Sequence, residues 1–377
     1  MTERMSTPRA LACVALVVIC GCATNAKNSG RHDVDGIMRA YDGNVPGASV
    51  LVIRDGVPIV RRSYGLANLE EKTATTPATN YRLASVTKQF TASAILLLAQ
   101  DGKLSIDDRV RKWLPSLPDT DNAITIRHLL THTGGLIDYE DIMPESPPEP
   151  PVNIPAGALP ETSAEVVDDP RKQLRDIDVL HLLENERRVY FPPGTNYRYS
   201  NGGYSMLALI VERASGKKFQ DFLRERIFEP LGMRDTLAYV AGGPPVPRRA
   251  YGYSEANGRW FRTDQSLTSA VLGDGGIYSS IDDLAKWDAA AYDARLLSDA
   301  SRALAFTPWT KTDDADVQYG FGIRLTGETQ WHSGETIGFR NVIVRYPRRH
   351  LTVIVLTNRN DPEPYRMALA IAQPYLQ

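Results

Sequence analysis

The chain has 377 residues, of which 42% are hydrophobic and 23% are charged. This balance excludes a disordered, collagen-like or multi-span membrane protein and allows one large folded unit with a substantial core. The formal net charge is -2, and no long block of lysine and arginine occurs, so the electrostatic footprint of a nucleic-acid-binding protein is missing. We therefore expect small-molecule or cell-wall chemistry and no nucleic-acid partner.

The N-terminus has the features of an export signal. Arg4 and Arg9 precede and adjoin the apolar run 10–19, which is too short to span a bilayer as a mature helix. Directly after this run comes Cys20-Gly21-Cys22, which is similar to a bacterial lipobox, where small residues precede the cysteine that becomes acylated. We expect residues 1–22 to be a lipoprotein-type signal peptide and Cys22 to carry a lipid anchor in the cell envelope or periplasm. An ordinary secretory signal that is cleaved nearby is the alternative.

All three cysteines, Cys13, Cys20 and Cys22, lie in this segment. The mature domain therefore has no disulfide framework, no thiolate metal site and no cysteine nucleophile. The polar residues 23–35 are expected to form a flexible tether, and residues 36–377 a single domain.

The elements of this domain follow in chain order. Residues 48–64 predict a strand pair with a tight turn at Asp55-Gly56, and the helical periodicity of residues 85–100 stops at Asp101-Gly102. The six prolines between residues 144 and 155 predict that 143–170 forms an exposed loop. Further helices and strands are predicted in order: a short helix within 124–136, a helix over 203–214 that ends at Ser215-Gly216, strands at 319–325, 330–332, 338–346 and 351–357, and a helix over 364–376.

The predicted strands lie at the two ends of the chain, and helices dominate between them. This order predicts an α/β (α+β) fold in which both chain ends supply one antiparallel sheet. Helices flank that sheet, and a mostly helical subdomain is inserted between its first and last strands.

The first candidate for chemistry is Ser85-Val86-Thr87-Lys88, at the start of a predicted helix. Positions i and i+3 share a helix face, so the hydroxyl and the amine meet, and a neutral lysine can activate the serine as a nucleophile. Ser215 and Lys218 have the same spacing, but Ser215 stands at a helix end, whereas the first-turn amides at Ser85 can face a developing oxyanion. By itself, the first pair is equally typical of an N-capping serine beside a surface lysine.

Two further motifs follow. Tyr199-Ser200-Asn201 is the only Tyr-x-Asn in the chain and precedes a predicted helix, where a tyrosine can relay protons; a core aromatic and an N-cap are the structural alternative. His332-Ser333-Gly334 lies on a predicted strand, and its small residues let a substrate approach the strand edge. His132, in a similar His-Thr-Gly-Gly run, is assigned a structural hydrogen-bonding role because it ends a short helix.

These three motifs, in this order, resemble those of the β-lactamase-like serine hydrolases, which include class C β-lactamases, D-Ala-D-Ala carboxypeptidases, D-aminopeptidases and esterases. The resemblance covers roughly residues 36–373 and implies a β-lactamase/transpeptidase-like fold. The connecting motifs that share it are Tyr81-Arg82-Leu83-Ala84, residues 129–135, Phe191-Pro192-Pro193-Gly194, Pro230-Leu231-Gly232-Met233 and residues 275–279.

The resemblance implies that Ser85 is the acylated nucleophile, that Lys88 is its base, and that Tyr199 relays protons in acylation and in activating the deacylating water. Asn201 would orient the substrate. The backbone amides of Ser85 and Glu335 would form the oxyanion hole.

The motif His332-Ser333-Gly334 stands where typical β-lactamases have Lys-Thr-Gly. His332 is mostly neutral at pH 7, so we expect weaker capture of a β-lactam carboxylate and infer that this histidine tunes Tyr199 instead. Arg340 is a candidate anion binder, with a surface strand role as its alternative. Gly134, where relatives usually have serine, is interpreted as neutral to the chemistry.

Two other kinds of hydrolytic site are disfavoured by the residue pattern. An α/β-hydrolase is disfavoured because no Gly-x-Ser-x-Gly elbow occurs, and a zinc site is disfavoured because residue 129, between His128 and His132, is leucine instead of glutamate. We expect no metal, no cofactor, and a small-molecule or peptidoglycan-derived substrate cleaved at an ester, amide or D-Ala-type peptide bond. A β-lactamase proper, or a non-catalytic penicillin- or peptidoglycan-binding module, is the alternative.

Overall fold

The computed structural model describes residues 34–119, 123–143, 173–360 and 364–377. The predicted signal peptide, Cys22, residues 23–33 of the tether and residues 144–170 of the proline-rich loop lie outside the described residues. Val34 is fully buried and Asp35 pairs with Arg62, so the fold includes the last two residues of the predicted tether.

The strands of the described residues are β1 (Ala48–Arg54), β2 (Val57–Tyr64), β3 (Leu66–Asn68), β4 (Thr73–Ala74), β5 (Tyr81–Arg82), β6 (Leu237–Ala238), β7 (Tyr253–Ala256), β8 (Arg259–Arg262), β9 (Ile277–Ser279), β10 (Thr310–Lys311), β11 (Gln318–Tyr319), β12 (Arg324–Thr326), β13 (Thr329–Thr336), β14 (Phe339–Tyr346) and β15 (Leu351–Thr357). The α-helices are α1 (Lys88–Gln100), α2 (Val110–Trp113), α3 (Ile126–Leu130), α4 (Asp176–Glu184), α5 (Asn201–Ser215), α6 (Phe219–Leu223), α7 (Glu229–Leu231), α8 (Leu272–Gly275), α9 (Ile281–Ala289), α10 (Asp299–Ala305) and α11 (Pro364–Ala372). Short 3-10 turns include Ala84–Thr87 and Gln373–Tyr375.

Within the described residues, the main sheet has eight strands in the order β10-β11-β12-β13-β14-β15-β1-β2, and every neighbouring pair is antiparallel. Strands β1 and β2 come from the start of the domain, and β10–β15 come from its end. Most of the helices lie between them in the chain. The prediction of an α+β fold with one antiparallel sheet from both chain ends is confirmed.

The two faces of the sheet are covered by different layers. In β1, Leu51 and Ile53 pack into the core of the inserted helices, whereas Val50 and Val52 pack with Ile371 of α11. Side chains alternate between faces along a strand, so a strand covered on both sides needs the nearly continuous apolar sequence seen here.

The hairpin between β1 and β2 turns at Asp55 and Gly56, where the sequence predicted it. Both residues have positive φ, 52° and 76°, which is the geometry of the two-residue turns that match strand twist. The strand predicted over 319–325 is wrong, because it is divided into β11 and β12. Gly322, with φ 69°, makes the break, and a Cβ there would collide with the backbone of Lys88.

Two helix predictions need adjustment at their ends. The helix predicted from residue 85 starts as the 3-10 turn Ala84–Thr87 and continues as α1. The helix predicted within 124–136 forms only as the short α3, because His132 adopts a left-handed conformation with φ 58° just after it. Helix α5 ends at Gly216, with φ 72°, as the predicted C-cap requires.

Among the helices of the described ranges, none combines the length and the apolar character that a membrane crossing needs.

Candidate active site

Ser85 stands in a tight turn that the strand β13 approaches closely. Ala84, just before it, has φ 48°, a conformation that non-glycine residues rarely adopt and that surrounding structure must hold in place. A Cβ on Gly334 would collide with the carbonyl oxygen of Leu83. The glycine of the His332-Ser333-Gly334 motif is therefore needed for the strand to lie against the serine turn.

Lys88 is fully buried, and its amine has three partners. Nζ lies 3.0 Å from Ser85 Oγ, 2.7 Å from Asn201 Oδ1 and 3.0 Å from the backbone oxygen of Asp274. The structure thus brings Ser85 and Lys88 together, and it excludes the surface-lysine alternative.

Tyr199 and Asn201, at the start of α5, also lie beside the Lys88 amine. The Tyr199 ring centroid lies 4.9 Å from Lys88 Nζ, and its hydroxyl is buried without a hydrogen-bond partner among the described residues. The N-cap of α5 is Ser200, whose side chain accepts from the Gly203 amide, so Asn201 is left to bind Lys88. The alternative of Asn201 as an N-cap is therefore wrong.

Asp274, Asp176 and Glu140 form a cluster of interacting carboxyl groups on the lysine side of the site, and the sequence reasoning missed it. Burial raises the pKa of Asp274 to about 7, against the opposing influence of Lys88, and its carboxylate accepts from the Tyr139 hydroxyl at 3.0 Å. Burial also raises the pKa of Asp176 to about 6, although the Leu272 and Gly273 amides donate to it. The pKa of Glu140 is raised by burial too. Asp274 directly precedes the motif at 275–279, which was the available signal.

His332 makes two hydrogen bonds, and neither of them is to Tyr199. Its Nδ1 lies 2.6 Å from the Ser333 carbonyl oxygen, to which only an N–H can donate, so the neutral ring accepts at Nε2 from the Tyr319 hydroxyl at 3.0 Å. Burial, Arg324 and Lys88 lower its pKa well below the ordinary value, which keeps the ring neutral. Both nitrogens therefore have partners other than Tyr199, although the two ring centroids lie 6.2 Å apart, and the inference that His332 tunes Tyr199 stays a prediction.

His132 has the predicted structural hydrogen bond, in which the Ser200 amide donates to its Nδ1 at 3.1 Å. The same ring packs on Tyr199 at a centroid distance of 4.3 Å. Burial and Lys88 lower its pKa well below the ordinary value, so it is a neutral support for the tyrosine ring.

The remaining candidates lie around β13. The Arg340 guanidinium donates to the backbone oxygens of Thr336 and Phe339 and lies 3.5 Å from the Glu335 carboxylate, so its structural role on the strand is the one observed. The Glu335 side chain is half exposed, and the backbone of β13 packs beside the turn that contains Ser85.

The two helical histidines considered for zinc are not paired in the structure. His128 Nδ1 accepts from the Thr125 amide at the start of α3, whereas His132 packs among tyrosines. Over the described part of the chain, no group of three or more histidine, cysteine, aspartate or glutamate residues is arranged to hold a metal ion.

Comparison with known proteins identifies the family. A model described as Beta-lactamase matches residues 32–374. The chain belongs to the Beta-lactamase family. Penicillin-binding protein 4* of Bacillus subtilis (strain 168), which is 31% identical over 345 residues, aligns with 87% of this chain and 71% of its own length.

Two other relatives extend the comparison. A D-aminopeptidase of Gluconobacter oxydans (strain 621H) is 28% identical, and the match covers 88% of this chain but only 60% of the relative. The structure of an octameric penicillin-binding protein homologue from Pyrococcus abyssi is 26% identical with a TM-score of 0.76, covering 92% of this chain and 76% of that one. These findings confirm the predicted resemblance and the prediction of a serine hydrolase related to β-lactamases.

Proposed function

We propose that this protein is an exported hydrolase that forms an acyl-enzyme on Ser85 and cleaves an ester, an amide or a D-Ala-type peptide bond. The observation that carries the proposal is the buried amine of Lys88, held 3.0 Å from Ser85 Oγ. A surface serine and lysine would gain nothing from such burial, because removing an amine from water costs free energy.

The three partners of Lys88 suit both of its protonation states. A neutral amine donates to Asn201 Oδ1 and to the Asp274 backbone oxygen, and its lone pair accepts the hydrogen of Ser85 Oγ–H. The ammonium form donates to the same three atoms. Lys88 therefore takes a proton from Ser85 and returns it without rearrangement, which a general base in an acyl-transfer enzyme must do.

In acylation, Ser85 Oγ attacks the acyl carbon of the substrate while its proton passes to Lys88. The developing oxyanion is assigned to the backbone amides of Ser85 and Glu335, which belong to two elements that pack side by side. Tyr199 would pass the proton to the departing alcohol or amine, because its ring lies beside Lys88 and its hydroxyl has no other described partner.

Deacylation uses the same groups in reverse. A water molecule loses a proton to the Tyr199 and Lys88 pair, attacks the acyl carbon and releases the acid, and Ser85 Oγ regains its proton. Asn201 contributes by holding Lys88 in position and facing the site beside it.

The substrate and location are proposed from sequence and relatives. One relative is named a penicillin-binding protein and another a D-aminopeptidase, which favours an acyl donor that contains a D-amino acid or a peptidoglycan fragment. The N-terminal signal and Cys22 favour a lipid-anchored protein of the cell envelope or periplasm, where such fragments occur. A neutral His332 in place of a lysine argues for a peptide or ester hydrolase ahead of an efficient β-lactamase.

Covalent labelling tests the proposal. We expect a fluorophosphonate probe to label the wild-type protein and a Ser215→Ala control, in which the second Ser-x-x-Lys pair is broken. Ser85→Ala should abolish the label. Retained labelling in Ser85→Ala, or binding of muropeptides without any labelling of the wild type, would exclude the acyl-enzyme and favour a non-catalytic binding module.

A substrate panel then distinguishes the leaving groups. p-Nitrophenyl esters, peptides ending in D-Ala and the β-lactam nitrocefin should be cleaved in that general order of rate. Nitrocefin as the fastest substrate would make the protein a β-lactamase proper.

A further inference from the structure

Gln89, the residue after Lys88 on α1, lines a pocket that is separate from the candidate active site. The other walls of this pocket are mostly apolar and come from α9, α10, β14 and the segment between β11 and β12. The pocket contains about 450 Å³ of empty space, including a part that is open to solvent. Neither Ser85, Lys88 nor Tyr199 is among the described residues that line it, so the proposed acyl transfer does not use this space.

The mouth of the pocket lies between α9 and α10. The lining residues that are partly exposed are Ala291 after α9 and, around α10, Leu296, Arg302 and Phe306. Other lining residues, such as Phe321, are buried. A small molecule can therefore enter from solvent between these two helices, and burial of its apolar surface against the walls favours binding.

Two buried side chains of this pocket have an N–H group without a hydrogen-bond partner among the described residues. The two nitrogens are Gln89 Nε2 and Arg345 Nη2, and the residues are only 5% and 2% exposed. The Gln89 amide cannot be turned over, because its Oε1 accepts from Trp287 Nε1 at 3.2 Å and from Arg345 Nη1 at 3.4 Å. A buried N–H without a partner costs free energy, so a ligand that brings an acceptor to these neighbouring donors is favoured.

The charges around the pocket are balanced, and this decides which kind of acceptor fits. Arg345 Nε donates to the Asp288 carboxylate at 2.6 Å, and both side chains are buried. Arg302 donates to the Asp299 carboxylate at 2.7 Å. An anionic ligand would therefore bring an uncompensated charge into a largely apolar space, which costs free energy. A neutral carbonyl oxygen has two lone pairs for two N–H donors and adds no charge.

We propose that this pocket is a second binding site, which takes a small, neutral and largely apolar molecule whose carbonyl oxygen accepts from Gln89 Nε2 and Arg345 Nη2. The inference goes beyond the proposed function, because binding at this site does not require Ser85. The site nevertheless borders the segment that carries the proposed base. Gln89 directly follows Lys88, and Gly322, between two lining residues, packs so closely on the Lys88 backbone that a Cβ there would collide with it.

The test compares cyclohexanone with methylenecyclohexane, which has the same ring but a CH₂ group in place of the carbonyl oxygen. Calorimetry at neutral pH gives the ratio of the two dissociation constants for the wild type and for Gln89→Glu. The introduced carboxylate still accepts from Trp287 and Arg345 but has no N–H to donate to the ketone. We expect Gln89→Glu to lower the preference for the ketone by about 3- to 10-fold, the net contribution of one hydrogen bond. The same preference in both proteins would overturn the proposal.

A second pair of variants locates the binding. Ala291→Phe should fill the mouth of the pocket and abolish binding of both molecules, whereas Ala303→Phe, at an exposed alanine of α10 outside the pocket, should keep the wild-type affinities. The melting temperature of each variant checks its folding.

A crystal structure of the wild type soaked with cyclohexanone should place the ketone oxygen within hydrogen-bond distance of Gln89 Nε2 and Arg345 Nη2. Ordered water alone on these two nitrogens, or unchanged binding in Ala291→Phe, would overturn the site. These results are independent of the covalent labelling of Ser85, so failure of the second site and failure of the proposed function are distinguishable.

Discussion

The two cations beside Tyr199 lie in opposite surroundings. Lys88 is fully buried, bound to three oxygen atoms and close to the carboxyl group of Asp274. Arg324 is partly exposed, packed on aromatic rings, and free of any carboxylate partner in the ranges that the structure describes. Burial with a complete set of acceptors suits a group that exchanges a proton, whereas a guanidinium keeps its charge and cannot take that role.

The carboxyl cluster on the lysine side also has an electrostatic consequence. Burial raises the pKa of Asp274 to about 7, so the charge beside Lys88 changes as this carboxyl group titrates. On the arginine side, burial lowers the pKa of the neighbouring His132 and His332 well below the ordinary value, so both rings are neutral.

The largest effect should come from removing the proton-exchanging cation. We expect Lys88→Met to lower kcat/KM by roughly 10³-fold or more, because Ser85 would lose its base in a buried site. Lys218→Met is the matched control from the second Ser-x-x-Lys pair, where the lysine is exposed and contacts Glu212. Steady-state kinetics on a p-nitrophenyl ester measures both, and similar losses in the two variants would remove Lys88 from the mechanism.

Tyr199 contacts both cations through its ring, so removing only its hydroxyl separates proton relay from packing. Tyr199→Phe should lower kcat by roughly 10²-fold, as expected for loss of a general acid–base group, with the melting temperature close to that of the wild type. The ring contacts with His132 and Arg324 remain in this variant. Wild-type turnover would show that Lys88 alone moves the protons.

The smallest effect should come from the carboxyl cluster. Burial raises the pKa of Asp274 to about 7, so its negative charge is present above that pH and is lost below it. Asp274→Asn removes that charge while an amide oxygen still accepts from Tyr139. The kcat/KM profile of this variant should therefore lose the inflection near pH 7 that the titration of Asp274 adds to the wild-type profile.

The control for this pH experiment is Asp299→Asn, at an exposed side chain far from the lysine in sequence and paired with Arg302. Its profile should match that of the wild type. An Asp274→Asn profile that keeps the same inflection near pH 7 would contradict an electrostatic influence of Asp274 on the reacting groups.

Prediction from sequence worked best where the signal is local. The Asp55-Gly56 hairpin and the glycine end of α5 were placed correctly because each depends on the backbone preferences of one or two residues. The strand 319–325 was placed wrongly because the Gly322 turn is imposed by close contact with Lys88, which is distant in the chain.

The same distinction between local signals and distant contacts applies to the candidate active site. Sequence by itself determined the Ser85–Lys88 spacing and the order of the three motifs, because a separation of three residues at a helix start brings two side chains together without help from other elements. Only the tertiary structure decided that the Asp274 backbone supplies the third oxygen for Lys88 and that Tyr319 hydrogen-bonds to His332. The same is true of the position of Arg324, which is partly exposed beside Tyr199. Those contacts join separate elements, and no local pattern of residues encodes which buried groups are left without a partner.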